Sequence, residues 1–91
     1  MSSRRNRTEI IYDILDSLIK NQGSLKPTRL LYKANLSHSQ MKDYISELTE
    51  KNLIVLTEQK GNKTKYEITE EGYKFFNQLN KIREMSDALG L

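Results

Sequence analysis

The sequence predicts a mainly α-helical domain with one β-hairpin, an α+β fold. Three observations lead there. Apolar residues recur at helical spacing in three segments before residue 51. The period then falls from about 3.6 to 2 across residues 53–68, on either side of a Gly-Asn turn. A fourth helical pattern, opened by a threonine, runs on to residue 88.

Each element has its own local reason. Asn6 or Thr8 offers an N-cap, and Asn6 with Glu9 fits a capping box. Ile10, Ile11, Ile14, Leu15, Leu18 and Ile19 then share a helical face, and Asn21-Gln22-Gly23 stops the helix, predicted over residues 8–21. The only proline, Pro27, opens a second helix, where the N–H it lacks is not needed. The apolar positions of that helix are Leu30, Leu31 and Ala34, with Tyr32 alongside, and Asn35 caps its end. Leu36 is a connector expected to pack inward. Ser37 with Gln40 is a second capping box and opens a third helix, residues 37–51. Met41, Tyr44, Ile45 and Leu48 form its i, i+3, i+4, i+7 stripe, and Lys51-Asn52 ends it.

Residues 53–57, Leu-Ile-Val-Leu-Thr, read as a strand, 59–63 as a turn, and 65–68 as the returning strand. Thr69 caps a fourth helix over 69–88, with Glu70 and Glu71 in the first turn, where the helix dipole favours them. Gly72 in that turn suggests a close neighbour. Phe75, Leu79, Ile82, Ser86 and Leu89 follow a 4, 3, 4, 3 spacing, a short heptad seam interrupted by Ser86. Such a helix is about 30 Å long, enough to leave part of its apolar surface without an intramolecular partner.

At 91 residues, 36% of them hydrophobic and 30% charged, the chain makes one domain. Burial alone stabilises so small a domain marginally, so a partner subunit is expected. There is no cysteine, which excludes disulfides and zinc–thiolate sites. His38 is the single histidine, too few for a multi-histidine metal site, and no cofactor is expected. No apolar run approaches the ~20 residues of a membrane span. The opening Met-Ser-Ser-Arg-Arg is basic but is not followed by the apolar segment of a secretory signal. The expectation is a cytoplasmic protein without a membrane partner. An enzyme fits poorly: there is no nucleophile–His–acid arrangement and no Gly-rich phosphate loop. Asp13 and Asp16 on the first helix have no metal-like companions.

Net charge is only +3, from 15 basic and 12 acidic residues, but its distribution is uneven. Arg4, Arg5 and Arg7 make a basic start. Lys20, Lys26, Arg29, Lys33 and Lys42 follow with no acid among them, and Lys60, Lys63 and Lys65 form a third cluster. Such stripes neutralise phosphates, or simply keep a small protein soluble.

The order helix, helix, helix, hairpin, helix, with a tight connection around Asn35 and Leu36, matches a helix-turn-helix followed by a wing. The expected organisation is a disordered basic arm over 1–7, a winged-helix domain over 8–68, and a C-terminal helix over 69–91 that dimerises. The stretch Thr28-Arg29-Leu30-Leu31-Tyr32-Lys33-Ala34-Asn35-Leu36-Ser37, continuing through Gln40, Tyr44, Leu48 and Asn52-Leu53-Ile54, resembles the small archaeal winged-helix regulators. Tyr66-Glu67-Ile68-Thr69-Glu70-Glu71-Gly72 is similar to their Y-x-L-T-x-x-G start of the last helix. The Ala34-Asn35-Leu36-Ser37 block is the specific part. His38 stands where that family often has Tyr, and Asn52 where it often has Gly. The resemblance implies a DNA-binding transcription regulator. Some members are chromatin-type architectural proteins, whose last helix pairs with its mate in an antiparallel coiled coil, so the resemblance also implies a homodimer.

The third helix is then the candidate recognition helix for the major groove. Its outward face carries His38, Ser39, Lys42, Asp43 and Ser46. Gln40 can read adenine through two hydrogen bonds, but its capping role competes for the same side chain. Lys42 suits guanine or phosphate, and Asp43 suits cytosine or acts by repelling phosphate. Lys60, Lys63 and Lys65 would place the wing, residues 59–65, on flanking DNA, and Arg29 and Lys33 would meet phosphate. Tyr32, Tyr44 and Tyr66 read as core or rim aromatics. Phe75, Phe76, Leu79, Ile82 and Leu89 are the candidate dimer seam or intramolecular core, with one of the two adjacent Phe residues facing each side. Three functions stay open: a dimeric sequence-specific regulator in the nucleoid, an architectural DNA-binding protein with little sequence preference, and a winged-helix module that holds another protein through Asp43, Glu47 and Glu50.

Overall fold

The computed structural model describes residues 4–90. Four helices and three short strands run in the order α1 Arg7–Lys20, β1 Ser24–Leu25, α2 Pro27–Lys33, α3 His38–Glu50, β2 Ile54–Gln59, β3 Lys63–Ile68 and α4 Glu70–Ala88. The expected fold class, a winged helix-turn-helix, is the one observed. Residues 1–3 of the basic arm and residue 91 lie outside the described residues.

Both capping boxes form. The Glu9 N–H donates to Asn6 Oδ1 at 2.8 Å, and the Asn6 N–H donates to Glu9 Oε1 at 2.8 Å. Ser37 and Gln40 repeat the pattern, with both bonds at 3.0 Å. These bonds satisfy amide donors that a helix start leaves over. The first three helices end alike. The N–H of Gly23 reaches Leu18 O (2.7 Å), that of Leu36 reaches Leu31 O (2.9 Å), and that of Leu53 reaches Leu48 O (2.9 Å). Each closure needs a left-handed residue just before it, and Gln22, Asn35 and Asn52 take φ of 65°, 55° and 60°. Asn52 thus holds a left-handed position of the kind that favours glycine.

Sheet order is β1-β3-β2, antiparallel throughout. β1 is an addition to the expected hairpin: Ser24 pairs with Glu67 and Leu25 with Tyr66. Two residues have no readable period, and only β3 beside them makes a strand of them. The core gathers the stripes of α1, α2 and α3 with Leu25, Leu36, Leu53, Ile54 and Ile68. Ile14, Leu15, Leu18, Leu30 and Ile54 have no exposed surface.

Thr69 makes the joint to the last helix. Its hydroxyl accepts from the Gly72 N–H at 2.9 Å and lies 2.7 Å from Asn52 O and 3.0 Å from Leu53 O. A Cβ on Gly72 would stand 2.2 Å from the Leu53 carbonyl oxygen and 2.6 Å from Ile68 Cγ1. Glycine is therefore required so that α4 can pass over the corner where α3 becomes β2, the close approach its position suggested.

Candidate nucleic-acid interface

Ser37 starts α3 at the corner after α2, and Ile45 and Leu48 anchor the inner face of α3 in the core. That rotation leaves His38, Ser39, Lys42, Asp43 and Ser46 exposed together. Gln40 is half-buried and its Oε1 accepts from the Ser37 N–H. A bidentate contact to adenine would need that oxygen and would break the capping box. Glu47, half-buried on the same helix, does not face outward as a free acid: it pairs with Arg7 and, at 2.9 Å, with Lys51.

A groove of about 660 Å³ runs between α3 and the inner face of the hairpin. Met41, Lys42, Ile45, Ser46, Leu56 and Tyr66 are among its walls. Leu56 and Tyr66 are register partners, and Leu56 remains 52% exposed there. At the hairpin tip, Gly61 and Asn62 take φ of 76° and 62°, the positive values their types suggested. Lys60 and Lys63 are exposed and Lys65 is half-buried. Lys63 and Lys65 stand opposite Gln59 and Thr57, on the strand face away from Leu56 and Tyr66.

On α2, Arg29 and Lys33 are exposed one turn apart. Tyr44 and Tyr66 pack against the core as half-buried residues. Tyr32 does not: it is 74% exposed, beside Pro27, Leu31, His38 and Met41. The expected core or rim place for Tyr32 is corrected, because Leu30 fills the core position of that turn and points Tyr32 the other way. An aromatic on the solvent side of Leu30, next to the corner before α3, is the signal that could have marked it.

The arm expected over residues 1–7 is also corrected where it is described. Arg7 is the first residue of α1 and pairs with Glu47. Arg5 donates to Asp13 Oδ2 at 2.9 Å, to Ala34 O at 2.7 Å and to Asn35 O. Asp13 is half-buried and paired, and Asp16 is half-buried and pairs with Lys20 at 3.1 Å. The expected dimer seam divides. Phe75, Phe76 and Leu79 are half-buried against their own domain. Phe76 stacks on Tyr12 with centroids 4.7 Å apart, and the Arg83 guanidinium lies 4.1 Å from the centre of the same Tyr12 ring. Phe76 thus faces the domain, and Phe75 packs there too rather than turning away. Ile82 and Leu89 are 61% and 70% exposed, and Met85, absent from the expected set, is 63% exposed.

Among the described residues, no group of three or more His, Cys, Asp or Glu side chains could hold a metal ion. No helix among them is long and apolar enough to cross a membrane.

Comparison with known proteins agrees with this architecture. An uncharacterised protein of Methanocaldococcus jannaschii is 34% identical over 85 residues, which is 93% of this chain and 80% of that protein. Among solved structures, Sso10a-2, a DNA-binding protein from Sulfolobus solfataricus, superposes with a TM-score of 0.79 at 22% identity, over 93% of this chain and 85% of that one. F93 from STIV, a winged-helix DNA-binding protein, gives 0.77 at 21% identity, over 88% and 92%. The PcaV transcriptional regulator from Streptomyces coelicolor gives 0.75 at 20% identity, over 87% of this chain but only 60% of that one. Residues 4–87 match the sequence pattern of the winged helix-turn-helix family. A capped α3 set at a tight corner, a hairpin wing in a three-stranded sheet and a match over nearly the whole chain lead to one conclusion: this chain belongs to the winged helix-turn-helix family.

Proposed function

We propose that the chain is a dimeric, sequence-specific DNA-binding transcription regulator that sets α3 in the major groove and the 59–65 wing on flanking DNA. The carrying observation is the α3 surface. Its exposed face holds Ser39, Lys42 and Ser46, while its inward-leaning acid, Glu47, is neutralised within the protein. Arg29 and Lys33 on one side, and Lys60, Lys63 and Lys65 on the other, supply the phosphate contacts. His38 and Asp43 border the base-reading positions. The DNA-binding descriptions of Sso10a-2 and F93 support the reading. The second copy would lie on the exposed Ile82, Met85 and Leu89 of α4, pairing two recognition helices about a two-fold axis.

One observation favours a second reading. Gln40 is committed to its capping box, which leaves short serines and Lys42 to read bases. An architectural DNA-binding protein with little sequence preference would use the same lysines. Duplex binding at several salt concentrations, followed by selection from a random pool, separates these readings. A steep salt slope with an enriched palindrome supports the regulator. The same slope with no enriched sequence supports the architectural protein. No binding at low salt overturns both and points to a protein partner. Lys60→Ala should weaken binding to all sequences alike and lower the salt slope by about 1.

A further inference from the structure

Arg5 precedes the first helix, yet its guanidinium reaches the corner between α2 and α3. One nitrogen, Nη1, lies 2.9 Å from Asp13 Oδ2 and 2.7 Å from Ala34 O, and Nη2 donates to Asn35 O. Ala34 is the last cap of α2, and Asn35 is the left-handed residue that turns the chain toward α3. Carbonyls at a helix end lack partners inside the helix and carry partial negative charge, so a cation is favoured there. The Asp13 carboxylate on α1 shares Nη1 with the Ala34 carbonyl. Arg5 is thus bonded at once to α1 and to the two residues that form the corner. Only Leu36 and the cap Ser37 separate that corner from α3. A second tie, Arg7 to Glu47, links the first turn of α1 to the last turn of α3.

We infer that Arg5 is a positioning residue for DNA recognition: it locks the α2–α3 corner onto α1 and so sets the aim of α3. This rests on the DNA-binding reading above. The side chain is only 23% exposed and its Nη1 and Nη2 are engaged by Asp13, Ala34 and Asn35, so its effect passes through α3 and not through a phosphate. A lysine at this position would keep the charge but could not span the three acceptors, because its ammonium is compact and the guanidinium is a planar fork.

The test is duplex binding by the full chain across salt concentrations, with wild type, Arg5→Lys, Arg5→Ala and Asp13→Asn. Circular dichroism and thermal melting establish which variants are folded at the assay temperature, and the near-isosteric Asp13→Asn keeps the test usable if Arg5→Ala does not fold. Arg5→Lys and Asp13→Asn should each weaken binding to a selected sequence about tenfold. They should narrow its margin over random duplex and leave the slope of log affinity against log salt unchanged. Full affinity in Arg5→Lys, or a slope lowered by about 1 in Arg5→Ala, would assign Arg5 to phosphate and overturn the inference. A lower melting temperature with unchanged affinity and specificity would also overturn it, leaving a purely structural tie. If the wild-type chain binds no duplex at low salt, the DNA-binding reading itself fails, a result that needs no Arg5 variant.

Discussion

The two halves of α4 belong to one continuous helix but live in different surroundings. The first half is held at the Thr69 joint, by the approach of Gly72 to Leu53, and by Phe75, Phe76 and Leu79 against the core. Beyond Asn80, every described residue except Ser86 is exposed. Arg83 still covers the Tyr12 ring, but a cleft of about 490 Å³ lies between the start of α1 and residues 79–87. The apolar spacing is the same in both halves. What differs is whether another element stands opposite. A hydrophobic stripe therefore reports that a surface is to be covered, without saying whether the same chain covers it.

The comparison can be broken at several points. The largest effect belongs to the packed body. Leu15→Ala, at a fully buried site of α1, should cost about 2–5 kcal/mol and lower the thermal midpoint sharply. A loss below about 1 kcal/mol would mean that the body is no better packed than distal α4. Next is Gly72→Ala, expected to cost about 1–3 kcal/mol by chemical denaturation through the clash with the Leu53 carbonyl, although alanine is the better helix former. If it stabilises the protein instead, α4 does not depend on that close approach.

The distal half should respond differently. Ile82→Lys combined with Leu89→Lys should change the stability of the isolated domain by less than about 0.5 kcal/mol. If a second copy covers this face, the wild type should show a melting temperature that rises with protein concentration, and the double variant should lose that dependence. Sedimentation of both proteins checks the same point directly, and a monomeric wild type at all concentrations would leave the distal half uncovered by its own copy. The smallest effect is at the left-handed Asn52, just before the joint. Asn52→Gly should stabilise by about 0.5 kcal/mol or less, since glycine meets no Cβ penalty at a φ of 60°. A clear destabilisation would show that the Asn52 side chain makes contacts that outweigh the backbone gain.

Much of the fold was legible before the structure because its causes are local. Asn6 with Glu9, and Ser37 with Gln40, mark helix starts within four residues of chain. The Gly61-Asn62 tip and the cap bond from the Gly72 N–H to the Thr69 hydroxyl are equally short-range. The outward face of α3 followed from its inward stripe, so His38, Ser39, Lys42, Asp43 and Ser46 were placed correctly as an exposed group.

The amino-acid sequence by itself determined where helices begin and end, which helix faces are apolar and where the hairpin turns, because capping, periodicity and turn chemistry act over a few neighbouring residues. Only the tertiary structure decided the rest. β1 exists because β3 lies beside it, Tyr32 is exposed because Leu30 fills the core, and Arg5 is tied down by two residues about thirty positions further along the chain. Ile82, Met85 and Leu89 of distal α4 are exposed because the core contacts that cover Phe75, Phe76 and Leu79 do not extend to them. Each of these depends on a partner distant in sequence, and no local pattern carries the position of a distant partner.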